Sequence, residues 1–498
     1  MNNLATPGML IAVWICLALY AVVILYFVIR GARRTKTMSD YATGTFQFSP
    51  AAIGLSLAAG MTSAATFIIN PGFIAYYGLS AFLSMAVFLP LGALISLVIL
   101  SKGFRKIGST VQAKTIAQWL GIRFQSEGFR LYVAFLSLLH LTFIVLICVG
   151  LTQVLSRALN ADSLYVLIGI VVFTFGYMMF GGANSMVYTN MIQALLKVVV
   201  AIIILASGYH FFTSGEGFFA KLNAVDPMLT KPLNPSSPLY RDFFEVVICQ
   251  FIVGIAIVCQ PHIITRSMLL KDDKGMNRFL TVSVLLLILF FSVVFAGLYG
   301  RIVFPDLTYN GNPLPLDGVM SAYVITSFSP VMSLFLVVGL IASGIATLES
   351  LIQSVSTTIT SDIIKPLSGN PELKNELAIN RLVISLMAVV VIFVSYRQII
   401  KPDLSVGILA QNGVYASFSA AFVPLLFGMF FKDVHKAVPI IASVVAITVH
   451  FSVYYGRLTH YMESGTRNPG IAAAIAILCS LTAGGVVYLV TKRKTVLA

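Results

Sequence analysis

Charge is what this chain has least of: aspartate, glutamate, lysine and arginine make up 10% of its 498 residues, against about 25% in an average soluble domain. That excludes a water-soluble globular protein. Cysteine is also scarce. Its five positions, Cys16, Cys148, Cys249, Cys259 and Cys479, all fall within or at the edges of apolar stretches. With neither paired metal-ligand spacing nor a secreted framework, they read as small buried hydrophobes. The chain lacks clustered histidines and carboxylates, and it lacks a nucleophile elbow, so we expect neither a transition-metal site nor a membrane-embedded enzyme. Long polar segments are missing too. The longest, about 209–240, is too short for a soluble catalytic domain and its Pro, Gly and Ser read as a partly ordered cap.

What fills the chain is apolar: 58% of it is hydrophobic. Stretches of about 20 apolar residues, the length needed to cross the hydrocarbon core, recur near 9–30, 50–78, 80–101, 131–155, 162–180, 186–208, 243–264, 279–304, 327–363, 380–397, 404–430, 436–456 and 470–491. The expectation is an all-α polytopic membrane protein of about thirteen transmembrane helices. The first stretch is too long for a signal peptide, has no basic region before it and has arginines directly after it, so it reads as a retained anchor.

Orientation follows from the basic residues, which collect in short cytoplasmic loops. With the N-terminus outside, 22 of the 32 lysines and arginines fall on inner loops and tail, nine on outer loops, and one, Lys197, within a span. The net charge of +14 is then a matter of topology and not a nucleic-acid footprint; the partners expected are the lipid bilayer and a small-molecule solute.

Polar residues inside the spans carry the functional reading. The ninth stretch holds Ser343, Gly344, Thr347, Glu349, Ser350, Gln353 and Ser354. A carboxylate near mid-membrane costs roughly 2.5–3.5 kcal/mol on insertion scales, so Glu349 should face a partner or a wet cavity and mark an ion path. Two spans look interrupted. In 50–78 the run from Ala58 to Thr66 crowds small and hydroxylated residues at mid-depth, with Asn70-Pro71-Gly72 behind it. Unwound carbonyls there could coordinate a cation, while close helix packing through small residues is the competing explanation. In 243–264, Gly254 lies within the span and Gln260-Pro261-His262 closes it.

These stretches, with Gly54-Leu55-Ser56, Gly181-Gly182, Tyr188-Thr189-Asn190, Gln193, Arg266, Gly300-Arg301, Pro305-Asp306-Leu307, Thr347 to Ser356 and Asp362-Ile363, resemble the sodium/solute symporter family, above all its pantothenate and proline permeases. The resemblance implies a five-plus-five inverted-repeat transporter core within a single membrane domain. Residues 1–49 would be the first helix and inner loop, 50–208 and 243–430 the two repeats, and 431–498 two C-terminal helices and a tail. It also implies a sodium site built from backbone carbonyls at Ala59, Thr62 and Ser343 with the hydroxyl of Thr347, hard oxygens that suit a small cation. A solute carboxylate would meet Ser63 and Thr66, with Ile147, Cys148, Gln250 and Val253 along the walls; mere packing is the other reading for each.

Three positions depart from the family pattern: Ala346 replaces a serine, Asn190 an aspartate, and Glu349 a hydroxyl or small residue. Two readings stay open. Glu349, with Asn190 and Ser350 nearby, supplies a sodium ligand; or Glu349 pairs with Lys197, whose ammonium stands in for the cation and carries a proton. A snorkelling Lys197 is the bland alternative. The function expected is symport of a small organic solute, such as a monocarboxylate, driven by sodium across a bacterial inner membrane. No organic cofactor is expected, Na+ being the coupling ion and H+ its rival. A proton-coupled or sodium-independent carrier, or a transporter-like sensor, is the alternative.

Overall fold

The computed structural model describes residues 7–63, 65–111, 113–213, 215–270, 272–369, 374–401, 406–463 and 465–497. Among the described residues, ten helices are long and apolar enough to cross a membrane, and two bent pairs pass when each is taken as one span. One long helix, Ser163–Ser207, has 45 residues and leaves helical geometry at Gly182 (φ 55°, ψ −154°). At 1.5 Å per residue it would reach roughly 68 Å, about twice a hydrocarbon core. Dividing it there brings the count to the thirteen read from hydropathy.

In chain order, span 1 is Pro7–Ala32, span 2 the bent pair Pro50–Met61 and Ala65–Tyr77, span 3 Leu79–Gly108 and span 4 Glu127–Ser156. Spans 5 and 6 are residues 163–181 and 183–207. Span 7 is the pair Phe244–Ile257 and Pro261–Leu269, bent by 57°; span 8 is Met276–Val303 and span 9 Pro330–Leu367. Spans 10 to 13 are Glu376–Ile400, Val406–Phe430, Ala437–Gly456 and Pro469–Lys492. Among the described residues the sole sheet is a hairpin pairing Thr308 with Pro313 and Tyr309 with Asn312.

Local chemistry sets the breaks. Span 2 starts where Ser49 accepts the Ala52 N–H and Pro50 occupies the first turn, an N-cap followed by a residue with no amide hydrogen to leave orphaned. Its first half stops at Met61, Thr62 taking extended geometry (φ −103°, ψ 110°), and it resumes as a wide π-type turn over Ala65–Ile69. Such turns favour functional sites because they displace carbonyls from the regular ladder. Span 9 is capped by Ser329 with Pro330 behind it. Gly182 lies under Tyr41, and a Cβ there would come 2.7 Å from the Tyr41 carbonyl oxygen at a positive φ, so a glycine is required.

Packing separates lipid-facing from buried surfaces. On span 10, Leu382, Leu386, Val389 and Phe393 recur at helical spacing and are 58–70% exposed, an apolar stripe that only lipid would cover. Spans 3 and 7 approach at glycines: a Cβ on Gly254 would fall 2.1 Å from the Leu89 carbonyl, and one on Gly92 2.4 Å from that of Phe251. The segment 209–240 differs from the loose cap expected. It forms helices Tyr209–Thr213 and Phe218–Val225, and Phe218 stacks on Phe212 at 4.4 Å and on Phe295 at 5.5 Å, burial that its Pro and Gly content did not suggest.

Candidate functional site

Spans 2, 6 and 9 meet through three small residues, Ala59, Ala194 and Ala346, buried together. Without side chains to hold the helices apart, backbone oxygens come within reach of neighbouring spans. Where the first half of span 2 ends, its last carbonyls lose their in-helix donors and carry the negative end of the helix dipole. Lys197, from span 6, places Nζ 2.5 Å from both Ala59 O and Thr62 O. The Thr347 hydroxyl, from span 9, lies 3.4 and 3.3 Å from the same two oxygens. Lys197 is fully buried, and its ammonium stands 5.9 Å from the centre of the Phe290 ring on span 8. Ser343, one helical turn before Thr347, is buried with its hydroxyl unpartnered among the described residues.

Glu349 belongs to a separate cluster. Tyr177 of span 5 donates to its Oε1, Thr189 of span 6 donates to Oε2 at 2.5 Å, and Gln193 Nε2 reaches Oε1 at 3.2 Å and the Tyr20 hydroxyl of span 1 at 2.7 Å. The carboxylate is wholly buried, and these donors replace the water it has lost. A third network lies between. Arg266 of span 7 donates to Ser350 Oγ at 2.6 Å and to Ser56 Oγ at 3.2 Å, and Asn190 Nδ2 joins Ser350 at 3.1 Å.

The structure therefore corrects several expectations. Lys197 neither snorkels nor pairs with Glu349: no ion pair among the described residues joins them, because Lys197 projects toward the span 2 break while Glu349 projects toward spans 1, 5 and 6. Among the described residues Glu349, Asn190 and Ser350 form no hydrogen bond with Ala59 or Thr62; their side-chain partners are Tyr177, Thr189, Gln193, Ser56 and Arg266. Thr189, Gln193 and Arg266 stood in the sequence motifs without assigned roles. Tyr20 and Tyr177 gave no signal, since aromatics are abundant throughout.

A cavity of about 110 Å³ opens beside the break, lined among others by Ser63, Thr66, Asn70, Gln260, Gln411 and Tyr415. Ser63 and Thr66 were expected there. Cys148, Gln250 and Val253 were also expected, but they are not among its lining residues. The cavity sits at the depth of the Gln260-Pro261 break, and the Gln250 amide instead lies against Gly470 of span 13. At the start of span 7, Glu245 is buried and bonded to Arg241 at 2.7 Å and Asn468 at 3.1 Å. Its hydrogen bond holds the Arg241 guanidinium above the usual arginine pKa. Toward the other end of the bundle, buried Asp362 pairs with Arg130 at 2.9 Å and accepts from Thr115 at 2.6 Å.

The model of the sodium:solute symporter family matches residues 41–444. The chain belongs to that family. Similar relatives are the sodium/pantothenate symporter of Escherichia coli (strain K12), 25% identical over 446 residues with 86% of this chain and 88% of that one covered, and the high-affinity proline transporter PutP of Bacillus subtilis (strain 168), 25% identical over 421 residues with 81% and 84% covered. A structure titled as the substrate-bound outward-open state of a Na+-coupled sialic acid symporter superimposes with a TM-score of 0.77 at 18% identity, covering 96% of this chain and 98% of that one. That likeness establishes the inverted-repeat fold, and spans 2 and 7 are the two bent helix pairs. Like other sodium:solute symporters, this is a multi-pass membrane protein, and its function is sodium-coupled symport of a small organic solute.

Proposed function

We propose that this symporter imports a compact organic anion, of the monocarboxylate class, across the plasma membrane by alternating access, with its N-terminus outside and its C-terminus in the cytoplasm. The observation that carries the reading is the cavity at the span 2 break. Its hydroxyls and amide, Ser63, Thr66 and Gln411, can donate to a carboxylate. The adjoining residue, Thr62, holds the Lys197 ammonium, so the local charge favours an anion over a cation. The remaining wall includes Met85, Leu89, Phe143 and Phe291, which suits a short apolar body better than a sugar.

Nothing in such a cycle needs covalent chemistry. A solute that binds the open and the closed state unequally shifts the equilibrium between them by that difference in affinity. The bent spans supply the moving parts, since a helix already broken at Thr62 and at Gln260 can change angle without losing a complete hydrogen-bond ladder.

Reconstituted vesicles loaded with potassium and given radiolabelled monocarboxylates, amino acids and vitamins test this. A monocarboxylate should accumulate several-fold above protein-free vesicles and fall when choline replaces sodium at constant pH. Loss of the cavity donors in Ser63→Ala or Thr66→Ala should raise its KM roughly tenfold, the cost of one charge-assisted hydrogen bond. Accumulation of amines or sugars without any carboxylate would refute the proposed solute class.

A further inference from the structure

We propose that the ammonium of Lys197 is the resident cation of the oxygen cage between spans 2 and 9, so that no sodium ion binds there and the coupling sodium of this symporter is held by other oxygens. The proposal rests on the family reading of the cage as a cation site and deepens it.

The cage has the chemistry for a small hard cation: two backbone carbonyls at a helix C-terminus that both face Lys197 Nζ, with the Thr347 hydroxyl bonded to the same two oxygens. That position is taken. Hard cations of about this size lie roughly 2.3–2.6 Å from their oxygens, and Nζ of Lys197 lies 2.5 Å from both Ala59 O and Thr62 O. A second positive charge cannot share those oxygens without displacing the first, and a fully buried stem on span 6 leaves the first nowhere wet to go.

The neighbouring residues agree with a tethered cation. Position 346 presents a methyl group that packs against Ala59 and Ala194, so span 9 gives no hydroxyl at that position. Asn190 brings an uncharged amide committed to Ser350 and Ser56. Glu349, the carboxylate nearest along span 9, spends both oxygens on Tyr177, Thr189 and Gln193. With no carboxylate paired to Lys197 among the described residues, the cage holds one positive charge against carbonyl dipoles and the face of Phe290, and a second would be uncompensated.

Sodium binding to the purified full-length chain in detergent, measured with radioactive sodium, tests the assignment without any transported solute. Lys197→Ala opens the space and should bind one more sodium ion per chain than the unchanged protein. Adding Thr347→Ala to that variant should weaken the extra ion roughly tenfold or more. If Lys197→Ala binds no additional sodium, or if the extra ion ignores Thr347, the proposal is overturned. Should Lys197→Ala fail to fold, the unchanged chain decides: crystals soaked with thallium(I), a heavy stand-in for alkali cations, should show no anomalous peak between Ala59 O and Thr62 O, and a peak there is fatal. A wrong solute class would appear only in vesicle uptake, so the two readings fail separately.

Discussion

At the scale of single residues, the buried charges are each solved differently. Lys197 is neutralised by carbonyl dipoles, Glu349 by hydroxyl and amide donors, Arg266 by serine hydroxyls. Glu349 is the strictest of the three, because Tyr177, Thr189 and Gln193 all point donors at it. In Glu349→Gln one carboxylate oxygen becomes an NH2 that faces a donor, and a buried donor left without an acceptor costs about 1–3 kcal/mol. We expect a clearly lower midpoint of thermal unfolding in detergent, with Thr189→Ala milder because only one of the donors to Glu349 is lost. A midpoint unchanged in Glu349→Gln would mean that the carboxylate is not held as described. That Glu349 and Lys197 lie within spans was legible in the sequence, since ionisable residues within apolar runs are conspicuous. Their partners were not, because spacing along one helix says nothing of the rotation of another.

At the scale of elements, close approaches decide which spans are neighbours. Gly92 on span 3 and Gly254 on span 7 each face the other helix's backbone, with room for hydrogen alone. Gly254→Val would force the pair apart, and overpacking of this kind typically costs about 1–3 kcal/mol. Gly485 on span 13 has nothing within 4 Å of where its Cβ would stand, so Gly485→Ala should be neutral or stabilising by up to ~1 kcal/mol. Thermal unfolding of the two variants checks the contrast; equal midpoints would show that the contact between spans 3 and 7 carries no weight. The break in span 2 was readable from its crowd of small residues. The separation between spans 5 and 6 was readable from the apolar stretches 162–180 and 186–208, although the chain passes from one to the other as a kinked helix with no loop.

At the scale of the whole molecule, the lysines and arginines make a prediction about sidedness. Lys36, exposed after span 1, belongs to the basic face, and Glu216, exposed in the 209–240 segment, to the opposite one. In a cysteine-free background, Glu216→Cys should react with a membrane-impermeant maleimide on intact cells, and Lys36→Cys only after permeabilisation. The reverse pattern would invert the proposed import direction and every inside or outside assignment that goes with it. The same experiment tests that an odd number of spans, 2 to 6, separates the two positions.

The sequence alone determined the membrane class, the thirteen crossings, the two broken spans and the family, because hydropathy, glycine and proline positions and motif order are local properties carried by a continuous stretch of chain. Only the tertiary structure decided that Lys197 meets Ala59 and Thr62 while Glu349 turns to Tyr177 and Thr189. Each such contact depends on how far every helix is rotated about its own axis, about 100° per residue at 3.6 residues per turn. That angle is fixed by side-chain packing among several spans at once, and no single stretch of sequence contains it.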